Sequence, residues 1–215
     1  MTSHSQSDPG SEPTRLPEVV ECYSDYSPPF DVKEMVGRML ESVPSKYMIG
    51  LGEVVLTNSG NLPRARRRAV TKSRKKKVRI VRALGLYHAA WRGSSAWIEI
   101  FVDNILATRR GWWFRWQFLR EGLIGDVLFH EIGHHIHATA RPEFREREDV
   151  ADVWKVRLKR RHNAIHHKWL RLFFLPFRPL LRLLGRAMER RWVERGWTSR
   201  AEFEESWRKK DATNV

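Results

Sequence analysis

Between residues 32 and 40 the apolar positions are Val32, Met35, Val36, Met39 and Leu40. That spacing puts them on one face of a helix. Asp31 and Glu34 form a capping-box pattern at its start, and the helix ends before Pro44. From Tyr47 to Thr57 the β-branched content and the Asn58-Ser59-Gly60 stop predict a strand. A second strand is expected from Arg82 to Ala90, and Arg92-Gly93-Ser94-Ser95 marks a turn. Trp97 to Asn104 alternates, with Ile98, Ile100 and Val102 on one face and Glu99, Phe101 and Asp103 on the other, which predicts a third strand.

A helix is then expected from about Phe114 to His137, with Leu119, Leu123, Val127 and Leu128 at helical spacing. Arg141-Pro142 breaks it. Another starts near Glu143 and passes Leu158. Residues 162–197 read as helical, basic and apolar, and Ser199 with Glu202 repeats the capping-box pattern before a short terminal helix. Residues 1–30, rich in Ser, Pro and acid without periodicity, read as a disordered tail. The expected organisation is an α+β domain over 31–160, with a helical extension over 161–215 packing on it.

Composition adds a charge argument. The chain has 215 residues, enough for one ordinary domain, and a formal net charge of +15. Such a balance favours an anionic partner, nucleic acid or a membrane surface. The positive charge concentrates in Arg64–Arg82, which contains no acid, and again in Lys168–Arg195. Like charges repel, so 63–79 is expected to form a loop. It lacks the aromatic interleaving that suits single strands. Lys168–Arg195 mixes Trp, Leu and Phe with Arg, so it suits either a helical pair covering the domain or an anionic membrane surface. Cys22 is the one cysteine, which excludes a disulfide framework within the chain and points to a reducing compartment. Met1–Pro17 has no basic start followed by an apolar run, so it does not read as a signal peptide. The longest apolar run, Trp169–Leu184, is broken by Arg171, Arg178, Arg182, Pro176 and Pro179, so no membrane span is expected. These features favour a cytoplasmic location, with peripheral contact at a membrane as an extension of it.

The chemistry concentrates in His130-Glu131-Ile132-Gly133-His134. On a helix the two histidines share a face, about 6 Å apart along the axis, and their imidazoles can converge on one ion. Glu131 lies one step around, able to miss the metal and reach water beside it. Downstream, Glu148-Asp149-Val150-Ala151-Asp152 reads ExxAD. Glu148 and Asp152 share a helix face, and small Ala151 allows a second helix to come close. Glu148 can complete a two-His, one-Glu site, and Asp152 can orient a ligand histidine through its other ring nitrogen. His137 lies about 10.5 Å along the axis from His130, too far to join one tetrahedral ion from a straight helix. Gly133 lowers helix propensity by about 1 kcal/mol relative to Ala, a cost consistent with a close backbone approach. The strand at Trp97–Asp103 is a candidate edge for pairing with an extended peptide.

This HExxH segment followed by ExxAD resembles the gluzincin metallopeptidases, in particular the minimal gluzincins, across about residues 31–160. The HEIGHH wording also resembles the ImmA/IrrE-type peptidases. Residue 140 is Ala, so the three-histidine pattern of metzincins is absent. The resemblance implies a zincin-like α+β fold, one zinc ion and hydrolysis of peptide bonds in a protein or peptide substrate, with Glu131 as general base toward a zinc-activated water. For a second electrophile the sequence offers His135, His137, Tyr87, His162, His166 and His167 without choosing. The contrasting expectation is a basic nucleic-acid- or membrane-binding module in which the histidines hold no catalytic metal.

Overall fold

A computed structural model describes residues 16–73, 76–109, 115–140 and 148–169. The chain divides into two units, residues 1–167 and 168–215, and the architecture described is that of the first. It is α+β, with a small mixed sheet backed by helices. The predicted helices from residue 170 onward and most of Lys168–Arg195 lie outside the described residues.

The first element corrects an expectation. Within the segment read as a disordered tail, β1 (Glu18–Cys22) pairs in parallel with β2 (Leu51–Thr57). Side chains tie its end down. Thr57 Oγ1 donates to the Cys22 carbonyl at 2.8 Å, and Asn58 exchanges bonds with the Ser24 backbone at 2.8 and 2.9 Å. Helix α1 (Val32–Glu41) follows as predicted. The Asp31 carboxylate accepts from the Glu34 backbone N–H, and the five apolar positions of the pattern are buried. It provides the crossover that a parallel β1–β2 pair requires.

The basic run is not one loop. It holds α2 (Arg64–Arg68) and a hairpin of β3 (Val70–Ser73) and β4 (Lys76–Arg79). Two arginines there are committed to the fold. Arg66 grips both oxygens of Glu99, at 3.2 and 2.7 Å, and Arg67 donates to the carbonyls of Leu62 and Gly60. The Glu99 carboxylate offsets part of the positive charge of this run.

The second predicted strand is β5 (Gly85–His88), and the third is β6 (Ala96–Phe101). Between them Gly93 has a positive φ of 88°, as the predicted turn requires. β6 stops short of the predicted Asn104 because Val102–Ala107 turns into α3. Asp103 accepts the Ser59 backbone N–H, and Asn104 donates to the carbonyls of Val81 and Ala83, so both side chains serve local anchoring.

Strand order is β1-β2-β6-β5, with β5 antiparallel to β6. Val54, Leu56, Ile98 and Ile100 are fully buried and in register across β2 and β6. The long helix α4 (Gln117–Ala140) covers the sheet, and α5 (Glu148–His166) packs along α4. Val150, Ala151, Trp154, Leu158 and His162 form the buried stripe of α5. α5 runs unbroken through residue 161, so the expected boundary at 160 falls inside a helix. Among the described residues no helix is long and apolar enough to cross a membrane.

Candidate metal centre

α4 presents His130 and His134 one turn apart, and their rings meet edge to face with centroids 4.7 Å apart. The two Nε2 atoms are 3.2 Å apart. Glu148, the first residue of α5, brings Oε2 to 3.2 Å from His130 Nε2 and 3.9 Å from His134 Nε2. These three donor atoms lie within 4.8 Å of one another, a group that could hold a metal ion. Asp152, one turn along α5, meets His130 Nδ1 at 3.1 Å and also accepts from Lys155 at 2.8 Å. The structure thus brings together His130, His134, Glu148 and Asp152 in the relationship their spacing predicted.

Gly133 makes the meeting possible. A Cβ there would lie 2.7 Å from the Ala151 carbonyl oxygen and 2.8 Å from its Cα. Backbone meets backbone at this crossing, and any larger residue would hold α5, with Glu148, away from the histidines.

The donor chemistry fits a cation. Asp152 is an acceptor, so neutral His130 donates to it through Nδ1–H. Its Nε2 then offers a lone pair, and what it faces is a carboxylate oxygen and a second imidazole nitrogen. Three such atoms repel unless a proton or a metal ion stands among them. Burial disfavours charge on His130, but the Asp152 hydrogen bond and the charges of Glu131, Asp152 and Glu148 outweigh it and raise its pKa. Burial and the neighbouring His130 push His134 down to about 4. Burial opposes the charge on Asp152, yet bonds from His130 and Lys155 hold its carboxyl well below the usual range.

Glu131 points to the other side of this helix face, against β5. A Cβ on Gly85 would come within 2.8 Å of Glu131 Oε1 and 2.6 Å of Val127 Cγ1. Two residues on, the Tyr87 hydroxyl lies 3.3 Å from His135 Nδ1. β5 therefore runs beside the Val127–Glu131–His135 stripe of α4. Gly85 was not singled out in the sequence, where its only signal is a glycine inside a predicted strand.

The edge named from sequence needs correction. β6, which contains Trp97, lies between β2 and β5, so it has neighbours on both sides. The terminal strand on the side of α4 that carries Glu131 is β5.

Some candidate electrophiles are occupied elsewhere. His135 is fully buried and meets the Ile49 carbonyl through Nε2 at 3.1 Å; that N–H donates, so Nδ1 accepts from Tyr87. Burial lowers its pKa despite the bond to Ile49. His162 and His167 gather around Glu121, about two and a half turns before His130 on α4. Cys22 sits in β1, where its Sγ contacts Asn61.

Comparison with known proteins finds no matching family model, curated protein or solved structure.

Proposed function

We propose that this protein is a zinc-dependent metallopeptidase with a zincin-like core of the minimal gluzincin kind. One observation carries the proposal: two imidazole nitrogens and a carboxylate oxygen from α4 and α5 converge, with Glu131 next in the chain to His130. Two histidines and one glutamate are a familiar donor set for catalytic zinc, which keeps a fourth position for water or substrate. Bound there, zinc supplies Lewis acidity toward water and toward a peptide carbonyl.

The remaining chemistry belongs to the chain. Glu131 is 7% exposed and adjoins the histidines on α4, so its carboxylate is held in place and partly desolvated. It accepts the proton that an attacking water loses and delivers it to the amine nitrogen as the C–N bond breaks. Asp152 fixes the His130 tautomer and ring orientation. β5, the terminal strand beside Glu131, offers main-chain groups for pairing with an extended peptide, a mode of binding that tolerates many side chains.

The test is Glu131→Gln, assayed on an unfolded protein substrate with zinc counted in the same preparation. Loss of hydrolysis by roughly 10²–10⁴-fold with zinc retained is expected. Full activity in the variant, or a folded wild type that takes up no zinc, would overturn the proposal.

A further inference from the structure

A second group of donors lies at the opposite end of the α4–α5 pair. Glu121, in the first turns of α4, faces His162 near the end of α5 and His167 just beyond it. Glu121 Oε2 is 3.2 Å from His162 Nε2 and 2.5 Å from His167 Nε2. All three donor atoms lie within 4.8 Å of one another, as at the first centre. Their side chains are only 4%, 3% and 10% exposed.

Neighbouring bonds decide the tautomer of His162. The Ser42 hydroxyl donates to the Met39 carbonyl at 2.6 Å, so its hydrogen is spent. His162 Nδ1 approaches the same oxygen at 3.3 Å and must donate to it. Neutral His162 then turns an Nε2 lone pair toward Glu121 Oε2, which is also an acceptor. The other oxygen of Glu121 is already engaged, by Arg38 at 3.1 Å and Gln117 at 2.9 Å. Oε2 and the His162 Nε2 lone pair thus face each other among buried side chains, with His167 Nε2 against the same oxygen.

We propose that Glu121, His162 and His167 form a second, structural metal site for a divalent ion of the zinc class. Two imidazoles and a carboxylate suit that class. Burial of all three ligands suits a structural role. The donors clamp the start of α4 to the end of α5, while Glu148 lies against α4 at the start of α5. His162 is about 21 Å along α5 from Glu148, so the two centres pin the helix at both ends and bind independently. This site does not depend on the peptidase proposal.

The test counts zinc per chain in the full-length protein after exhaustive dialysis and reloading with zinc alone. Three proteins are compared: wild type, His130→Ala/His134→Ala and His162→Ala/His167→Ala. Two zinc ions are expected on the wild type and one on the first variant, whose thermal midpoint should rise with added zinc. One ion fewer than the wild type is expected on the second variant. A folded first variant that binds no zinc overturns the second site, because its ligands are intact there; the three groups would then form a hydrogen-bonded ion cluster with a charged histidine. That arm remains decisive if the second variant does not fold. A wild type with one ion, kept by the first variant and lost by the second, would support this site and count against the first.

Discussion

Gly133 and Ala151 touch through their backbones, and a Cβ on Gly133 would fall 2.7 Å from the Ala151 carbonyl oxygen. Neither atom can swing aside as a side-chain end could. Gly133→Ala gains about 1 kcal/mol of helix propensity. It loses about 1–3 kcal/mol to overpacking and moves Glu148 away from the histidines. A lower thermal midpoint and weaker zinc binding are expected. Gly122→Ala is the control, because the nearest atom there is the end of Lys159 at 4.0 Å, and it should be neutral or stabilising. Equal effects from the two substitutions would refute the role of the crossing.

Asp152 is bonded to His130 Nδ1, so in the proposed site it would act on the metal through that ring. Asp152→Asn keeps the size but can present an amide N–H₂ to His130 Nδ1, and it removes the charge paired with Lys155. Zinc affinity should fall by roughly 10–100-fold, read by competition with a chelating dye. Unchanged affinity would show that His130 needs no such partner.

Gly85 lets β5 lie against Glu131. Gly85→Ala would force the new methyl against Glu131 and Val127. The expected result is a lower kcat with zinc content unchanged. Adding Val127→Ala should relieve the crowding and recover stability more than kcat, since the contact with Glu131 remains. A substitution that leaves kcat intact would place the reacting groups elsewhere.

Glu99 should make the fold sensitive to acid. Burial raises its pKa, but hydrogen bonds from His88 and Arg66 outweigh this and bring it below the ordinary 4.5. A carboxylate with a depressed folded pKa stabilises the fold above its unfolded value, and that stability is lost as pH falls through the folded value. The wild type should therefore lose thermal stability below about pH 4.5 more steeply than Glu99→Gln. Parallel curves for the two proteins between pH 3 and 6 would be the contrary result.

Much of the first centre was legible in the chain because its geometry is local. His130 and His134 are four apart on a strongly apolar helix, and Glu148 and Asp152 are four apart on the next, so helical periodicity alone puts each pair on a face. Helix α1 was legible for the same reason. β1 was not, since Glu18–Cys22 is five residues long and gains its order from pairing with β2 and from side chains 34 and 35 positions away. The Arg64–Arg82 charge also misled, because Glu99, which neutralises Arg66, lies 33 residues downstream.

The two helical pairs of donor residues and the helices that carry them follow from spacing along the chain, because an α-helix converts spacing directly into a shared face. Chain packing, in contrast, brings Gly133 to Ala151, sets β5 rather than β6 beside Glu131, and turns Glu121 toward His162 and His167 across 41 and 46 residues of chain. Those relationships arise where separate elements pack, and packing depends on the volumes and bonds of every neighbour at once rather than on any period along the chain.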